Sequence, residues 1–285
     1  MTIRTIGRIR SVLFAPAVRT DHLDKLASRG ADVVVIDCED ATPADRKAEA
    51  RQNARRYSQS LAAQGATVVV RVNAVTTQWF EDDINELGPD VVALMVPMVE
   101  SGRQMEEIDA VITAADFADL GVFVGLETAR GVANSVEILS HGRAIAAYFG
   151  AEDYIADVGG RRTAPNTEVL FARSQVAMAA RIGGVPAADQ VVTDFRNAER
   201  FQTEADFACN LGFRGKLCIH PGQVDIANAA FTPTEEAVQR AHEIVAAHQA
   251  ATAAGVSVAD YKGQMIDGPL VAQAQQILRL AGGKS

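Results

Sequence analysis

Eight apolar runs of strand length recur along this chain, separated by longer stretches of helical length, and few folds accept that alternation. The runs are Ser11 to Ala15, Asp32 to Ile36, Thr67 to Val72, Val91 to Val96, Val122 to Leu126, Ala144 to Phe149, Gln190 to Thr193 and Lys216 to Ile219. Most are rich in Val, Ile and Leu without strict alternation, the composition of strands covered on both faces. The stretches between them include Ala44 to Ala63, Gly102 to Ala115, Thr167 to Arg181 and Ala198 to Leu211, with opening signals at Pro43 and Ser101 and closing glycines at Gly65, Gly183 and Gly184. Strands alternating with helices build a parallel sheet, and eight such units predict a (β/α)8 TIM barrel. An open doubly wound sheet is the alternative. A barrel uses about 250 residues, so a chain of 285 has room for a C-terminal helical extension. The pattern divides it into a barrel over 1–231 and an extension over 232–285, where Glu235 to Ala251 carries Val238, Ala241, Ile244 and Val245 on one side.

Polar residues collect where the apolar runs end. The fifth run stops at Glu127, and the sixth is followed by Glu152 and Asp153. An unpaired carboxylate inside a buried strand costs several kcal/mol, whereas at the strand's exit it can point into the mouth of a barrel. Glu127 and Asp153 lie one strand-helix unit apart and would stand side by side on one rim. Two hard oxygen ligands with few neighbours suit Mg2+ completed by water and a substrate. A helix N-cap or a surface ion pair is the competing reading of either acid. The second run leads into Asp37-Cys38-Glu39-Asp40, the third holds Arg71 among valines, Asp194 follows the seventh, and the eighth runs into His220. A guanidinium at position 71 needs carboxylate or anionic ligand partners. Both an ion pair with the Asp37 to Asp40 cluster and contact with a substrate anion satisfy it. Asp267, followed by Pro269, reads from spacing as the cap of a last helix running through Leu280.

Several function classes are excluded. No GxGxxG follows the first run and no GxxxxGK[ST] occurs, so the two common nucleotide cradles are missing. His242 and His248 are out of register for one helical face and do not make a zinc motif. Cys38, Cys209 and Cys218 form no CxxC pair, which fits reduced thiols in a cytoplasmic protein, and Cys218 in its apolar run reads as a small buried hydrophobe. A net charge of −9 argues against a nucleic-acid surface. No apolar run reaches the ~20 residues that cross a bilayer, and the short run after Arg10 is too brief for a secretory signal. No membrane partner is expected.

Taken together, a set of short segments resembles the citrate lyase beta-subunit-like lyases of the HpcH/HpaI aldolase superfamily. They are Arg10-Ser11-Val12-Leu13-Phe14-Ala15-Pro16, Ile36-Asp37-Cys38-Glu39-Asp40-Ala41 with Lys47 after it, Arg71-Val72-Asn73, Gly125-Leu126-Glu127-Thr128 and Phe149-Gly150-Ala151-Glu152-Asp153-Tyr154. Gly160-Arg161-Arg162-Thr163, Lys216-Leu217-Cys218-Ile219-His220-Pro221 and Met265-Ile266-Asp267 complete the set. The resemblance implies a barrel that assembles as a homotrimer or dimer of trimers. It implies Mg2+ held by Glu127 and Asp153, substrate touched by Arg71 and Glu127, and Asp37, Glu39 and Asp40 in support. It further implies that Asp267 closes over a neighbouring subunit's site as the acid/base, in place of a mere cap. The reaction implied is cleavage of a 3-hydroxy-3-carboxyacyl-CoA, of the citramalyl-CoA or malyl-CoA type, to acetyl-CoA and a 2-oxo acid. Arg19, Lys25, Arg161 and Arg162 are available for the CoA phosphates. A malyl-CoA thioesterase, a CoA-independent class II pyruvate aldolase and a carrier-protein-dependent citryl lyase subunit are the rivals. Two positions depart from the family pattern: Ala17 replaces a common Gly, and Met98 replaces a common Lys, removing one cation from the rim.

Overall fold

The structure, a computed structural model, describes residues 2–255 and 259–282. Eight parallel strands close into a barrel: β1 (Ser11–Pro16), β2 (Val33–Asp37), β3 (Val68–Arg71), β4 (Ala93–Val96), β5 (Gly121–Leu126), β6 (Ala144–Phe149), β7 (Ala187–Asp189) and β8 (Gly215–Cys218). Each pairs with its sequence neighbour, and β8 closes on β1 through Ser11↔Lys216. The chain divides into two compact units, Met1–Phe231 and Thr232–Ser285. In the second, the helix Glu235–Ala253, a small antiparallel hairpin (Ala259–Tyr261 with Gln264–Ile266) and the helix Gly268–Ala281 share a core of Ala241, Ile244, Ile266, Val271 and Ala274.

The missing alternation in the strands has a direct cause. Val12, Val33, Val35, Val69, Met95, Phe123, Tyr148 and Leu217 fill the barrel interior. Their strand neighbours Leu13, Val34, Ile36, Val68, Val70, Leu94, Val122 and Val124 pack outward against the helices, so both faces must be apolar. Small residues at Ala93, Ala146 and Ala188 make room inside for Phe123 and Tyr148, whose rings meet edge-on at 5.9 Å.

One strand lies elsewhere than its sequence indicates. Gln190 to Thr193 is not the seventh strand; β7 is the three-residue Ala187–Asp189 just before it. It pairs with β8 at only two positions, Ala188↔Gly215 and Asp189↔Lys216, and buried charge reinforces that short seam. Arg173, on the helix Leu170–Gly183, donates through Nε and Nη2 to the two oxygens of Asp189 at 3.0 and 2.8 Å. Lys216 Nζ donates to Asp189 Oδ2 at 2.8 Å and to the carbonyl of Gln190 at 2.9 Å, and Glu204 completes the charge balance 3.2 Å from Arg173. Arg173, Asp189 and Lys216 are all at most 1% exposed. Removing one member of such a cluster strands a buried charge, so Lys216→Met is expected to lower stability by about 3 kcal/mol in urea denaturation followed by circular dichroism. A loss within error of zero would show that the seam does not depend on the cluster.

Candidate active site

The strands' C-terminal ends surround a cavity of about 450 Å³ whose lining includes five carboxylates, Asp37, Asp40, Glu127, Glu152 and Asp153, against one cation, Arg71. Arg71 ends β3 and faces Asp37, which ends β2, on the last rung of their ladder. Its Nε donates to Asp37 Oδ1 at 2.8 Å and its Nη2 to Oδ2 at 2.7 Å. Nη1 lies 3.0 Å from Glu39 Oε2 and 3.5 Å from Asp40 Oδ2, and the guanidinium sits 5.2 Å over the Phe14 ring. Burial opposes this charge, but the attraction and hydrogen bonds of Asp37 outweigh it and raise the Arg71 pKa well above its ordinary value. The ion pair with the Asp37 to Asp40 cluster is therefore present. Lys47 holds the loop that carries these acids, donating to the carbonyls of Cys38 and Glu39 at 2.9 and 2.8 Å.

Glu127, one residue past β5, is 2% exposed and forms no salt bridge among the described residues. It is not a helix cap, since Thr128 takes that place by accepting from Gly131 N. Glu127 Oε2 accepts from the backbone N–H of Met98 at 3.0 Å, which Met98 presents from a left-handed conformation with φ 52°. The other oxygen, Oε1, rests against Gly150, where a Cβ would collide with it. Gly150 immediately precedes the helix Ala151–Asp157, and Asp153 lies in that helix's first turn, also without a salt bridge among the described residues. Burial pushes the Glu127 carboxyl up to about 7, with Arg71 opposing and Asp153 adding to the rise. Burial likewise raises Asp153, helped by Asp40, and pushes Glu39 up to about 8 against the pull of Arg71.

A rim with this excess of carboxylate fits a divalent cation. Among the described residues no three His, Cys, Asp or Glu side chains form a ready-made cage. Two protein carboxylates, Glu127 and Asp153, would thus leave most positions to water and a ligand, the habit of Mg2+ and not of structural zinc.

Other expected residues fall away from this cavity or have other duties. Asp194 is an exposed loop residue hydrogen-bonded to Asn197 at 3.3 Å, left outside the rim because the strand before it ends earlier. His220 caps a short turn through Gly222 N and stacks on Phe195. Asp267, in the second unit, accepts from Leu270 N at 3.3 Å and so does cap the helix Gly268–Ala281. Arg19 pairs with Asp21, and Arg162 pairs with Glu152 and Glu168. Cys218 is buried, with its thiol pushed up to about 12 by burial. Sequence reasoning missed Tyr148, which lines the cavity floor, and the Met98 amide. The lone polar group of the sixth run was the available signal for the former.

A family model described as HpcH/HpaI aldolase/citrate lyase matches residues 10–221, which span the barrel from β1 to the turn after β8. The chain belongs to the HpcH/HpaI aldolase/citrate lyase family. A citrate lyase subunit beta-like protein from Deinococcus radiodurans is 44% identical over 274 residues, covering 95% of this chain and 96% of that one. An L-malyl-CoA/beta-methylmalyl-CoA lyase from Cereibacter sphaeroides is 33% identical over 299 residues, covering 95% and 94%. The crystal structure of CitE from Mycobacterium tuberculosis with magnesium, acetoacetate and coenzyme A superposes with a TM-score of 0.80 at 31% identity, covering 97% and 98%. Within the family, then, this chain keeps the barrel and sets the acids described above at its rim. No helix among the described residues is long and apolar enough to cross a membrane.

The burial of Glu127 sets a pH dependence. The folded chain holds this proton to about 7 instead of 4.5, so the folded state binds more protons than the unfolded chain between those values, and stability falls as pH rises through them. In EDTA, urea stability of the wild type should drop more steeply over that window than that of Glu127→Gln, and a divalent cation should reverse the wild-type loss. Parallel curves would mean that Glu127 titrates as an ordinary carboxylate.

Proposed function

We propose that this protein is a Mg2+-dependent carbon-carbon lyase that cleaves a 3-hydroxy-3-carboxyacyl-CoA, of the citramalyl-CoA or malyl-CoA type, to acetyl-CoA and a 2-oxo acid. It would work as a cytoplasmic homotrimer or dimer of trimers. The observation that carries this reading is the rim's imbalance: buried carboxylates without cations beside a fixed guanidinium, in a family whose relatives are named for this chemistry.

Glu127 and Asp153 would hold the metal, whose contribution when bound is Lewis acidity toward the substrate's hydroxyl and nascent ketone. In the cleavage the hydroxyl gives its proton to water, the bond between C2 and C3 breaks as the C=O of the 2-oxo acid forms, and the electron pair of the broken bond passes to the thioester as an enolate. A fixed cation aimed at that oxygen stabilises it. Asp37 occupies Nε and Nη2 of Arg71, so the edge able to face the enolate is Nη1, whose longest contact is with the exposed carboxylate of Asp40. Asp37 and Glu39 would keep Arg71 in place. Asp267 of a neighbouring subunit would return a proton to C2 and yield acetyl-CoA, or remove it in the condensing direction. Of the cations considered for the CoA phosphates, Arg19 and Arg162 already have carboxylate partners, while Lys25 and Arg161 form no salt bridge among the described residues.

Purified protein with Mg2+ should release acetyl-CoA and a 2-oxo acid from citramalyl-CoA or malyl-CoA. Release of free CoA and malate would assign a thioesterase instead, and cleavage only of free 4-hydroxy-2-oxo acids a CoA-independent aldolase. Glu127→Ala should abolish the reaction. Asp267→Asn should keep the fold and metal affinity and lower kcat at least ~100-fold; a wild-type rate would leave Asp267 only its capping role.

A further inference from the structure

Tyr148 is out of place as a core residue. It sits on β6 inside the barrel, 1% exposed, with its ring against Phe123. Its hydroxyl is buried and completes no hydrogen bond of full geometry among the described residues, although the Glu127 carboxylate stands within hydrogen-bonding reach of it. Phenylalanine would fill the same volume without that desolvated hydroxyl. The backbone nevertheless makes space for the oxygen: Gly125 lies directly across the β5–β6 ladder, and a Cβ there would stand 2.6 Å from the phenol oxygen.

The charges that the phenol faces are Glu127, Arg71 and Glu39. Arg71 has only protons to offer, and Asp37 takes two of its three nitrogens. A phenol proton therefore has a carboxylate as its partner, and Glu127 is the acid within hydrogen-bonding reach of it and the one of the two that lines the cavity. Glu127 is already fixed from two sides, by the Met98 amide on Oε2 and by the bare Cα of Gly150 under Oε1. A third contact from below would define its direction. Carboxylates that grip a metal are held by such outer hydrogen bonds, and losing one typically weakens binding by 10–100-fold.

We propose that Tyr148 is a positioning residue for Glu127: the phenol beside this carboxylate completes its hydrogen bond to it when Glu127 holds a divalent cation. This rests on Glu127 being a metal ligand. The hydroxyl is then a cost in the metal-free protein and a gain in the loaded one.

That reversal of sign separates the idea from a packing role. In Tyr148→Phe, the full chain in EDTA should melt at or above the wild-type temperature, while its Mn2+ and Mg2+ dissociation constants, measured by isothermal titration calorimetry, should rise about tenfold. A fall in melting temperature with unchanged metal affinity would make Tyr148 a packing residue and overturn the proposal. Glu127→Gln is the control. If it loses metal binding while Tyr148→Phe keeps wild-type affinity, the assignment of Tyr148 alone fails. If Glu127→Gln binds Mn2+ as tightly as wild type, the ligand assignment fails and takes this proposal with it.

Discussion

One guanidinium clamped between two strand ends organises the electrostatics of the rim. Arg71 and Asp37 meet on the final rung of the β2–β3 ladder, and the backbone continues its own bonding around them, with Ala17 N donating to Asp37 O at 2.8 Å and Cys38 N to Arg71 O at 2.9 Å. The pair is thus fixed by the register of three strands and does not depend on a mobile loop. Without Arg71, Asp37 and Glu39 would be buried acids, 3% and 8% exposed, with no guanidinium between them. With it, Asp37 is satisfied in bidentate fashion and the remaining acidity is displaced toward Glu127 and Asp153.

That displacement has a consequence for binding order under the proposed reaction. A substrate carrying a carboxylate would enter a cavity lined by five carboxylates and one cation already engaged with two of them and with Glu39. Like charges in a partly dry pocket repel strongly because water screens them less. A divalent ion held by Glu127 and Asp153, as proposed, would remove that repulsion and give the incoming oxygens something to bind. Under the proposed reaction the cation would therefore bind before the organic anion, and the desolvation that raises the carboxyl pKa values is the same property that would make a small hard cation effective there.

The barrel was legible from sequence because its signal is distributed: seven of the eight strands follow from short apolar runs, each supported by its neighbours' spacing. β7 was misplaced for a physical reason. Its residues, Ala187, Ala188 and Asp189, lack the bulk and branching of a typical strand, because Ala188 must leave room inside the barrel and Asp189 is held by ions that lie far away in sequence. Gln190 to Thr193, with its paired valines, looks more like a strand than the strand does. At the site, Glu127, Asp153 and Arg71 were visible because a charge at the end of an apolar run is conspicuous. The Met98 amide was not, since it acts through backbone conformation that its side chain does not announce. Tyr148 was read as part of an apolar run, and only the pairing partner Gly125 reveals that its oxygen has been given space.

The two buried charge clusters of this barrel look alike in the sequence, as ions interrupting or ending apolar segments, and they differ in charge balance. Behind β7 and β8, Arg173 and Lys216 face Asp189 and Glu204, two cations against two anions, and every one of these side chains touches an opposite charge. Such a set is complete and has no call for a ligand; its role is to lock a short seam. At the rim, Glu127 and Asp153 have no cation of their own among the described residues, while Arg71 is spoken for by Asp37. Burial without compensation is unfavourable in the empty protein, where it raises the carboxyl pKa of both acids, and a cation supplied from outside the chain would offset that cost. Balance therefore separates the cluster that locks the barrel's short seam from the one proposed to take a cation, a distinction that residue type and strand position alone do not make.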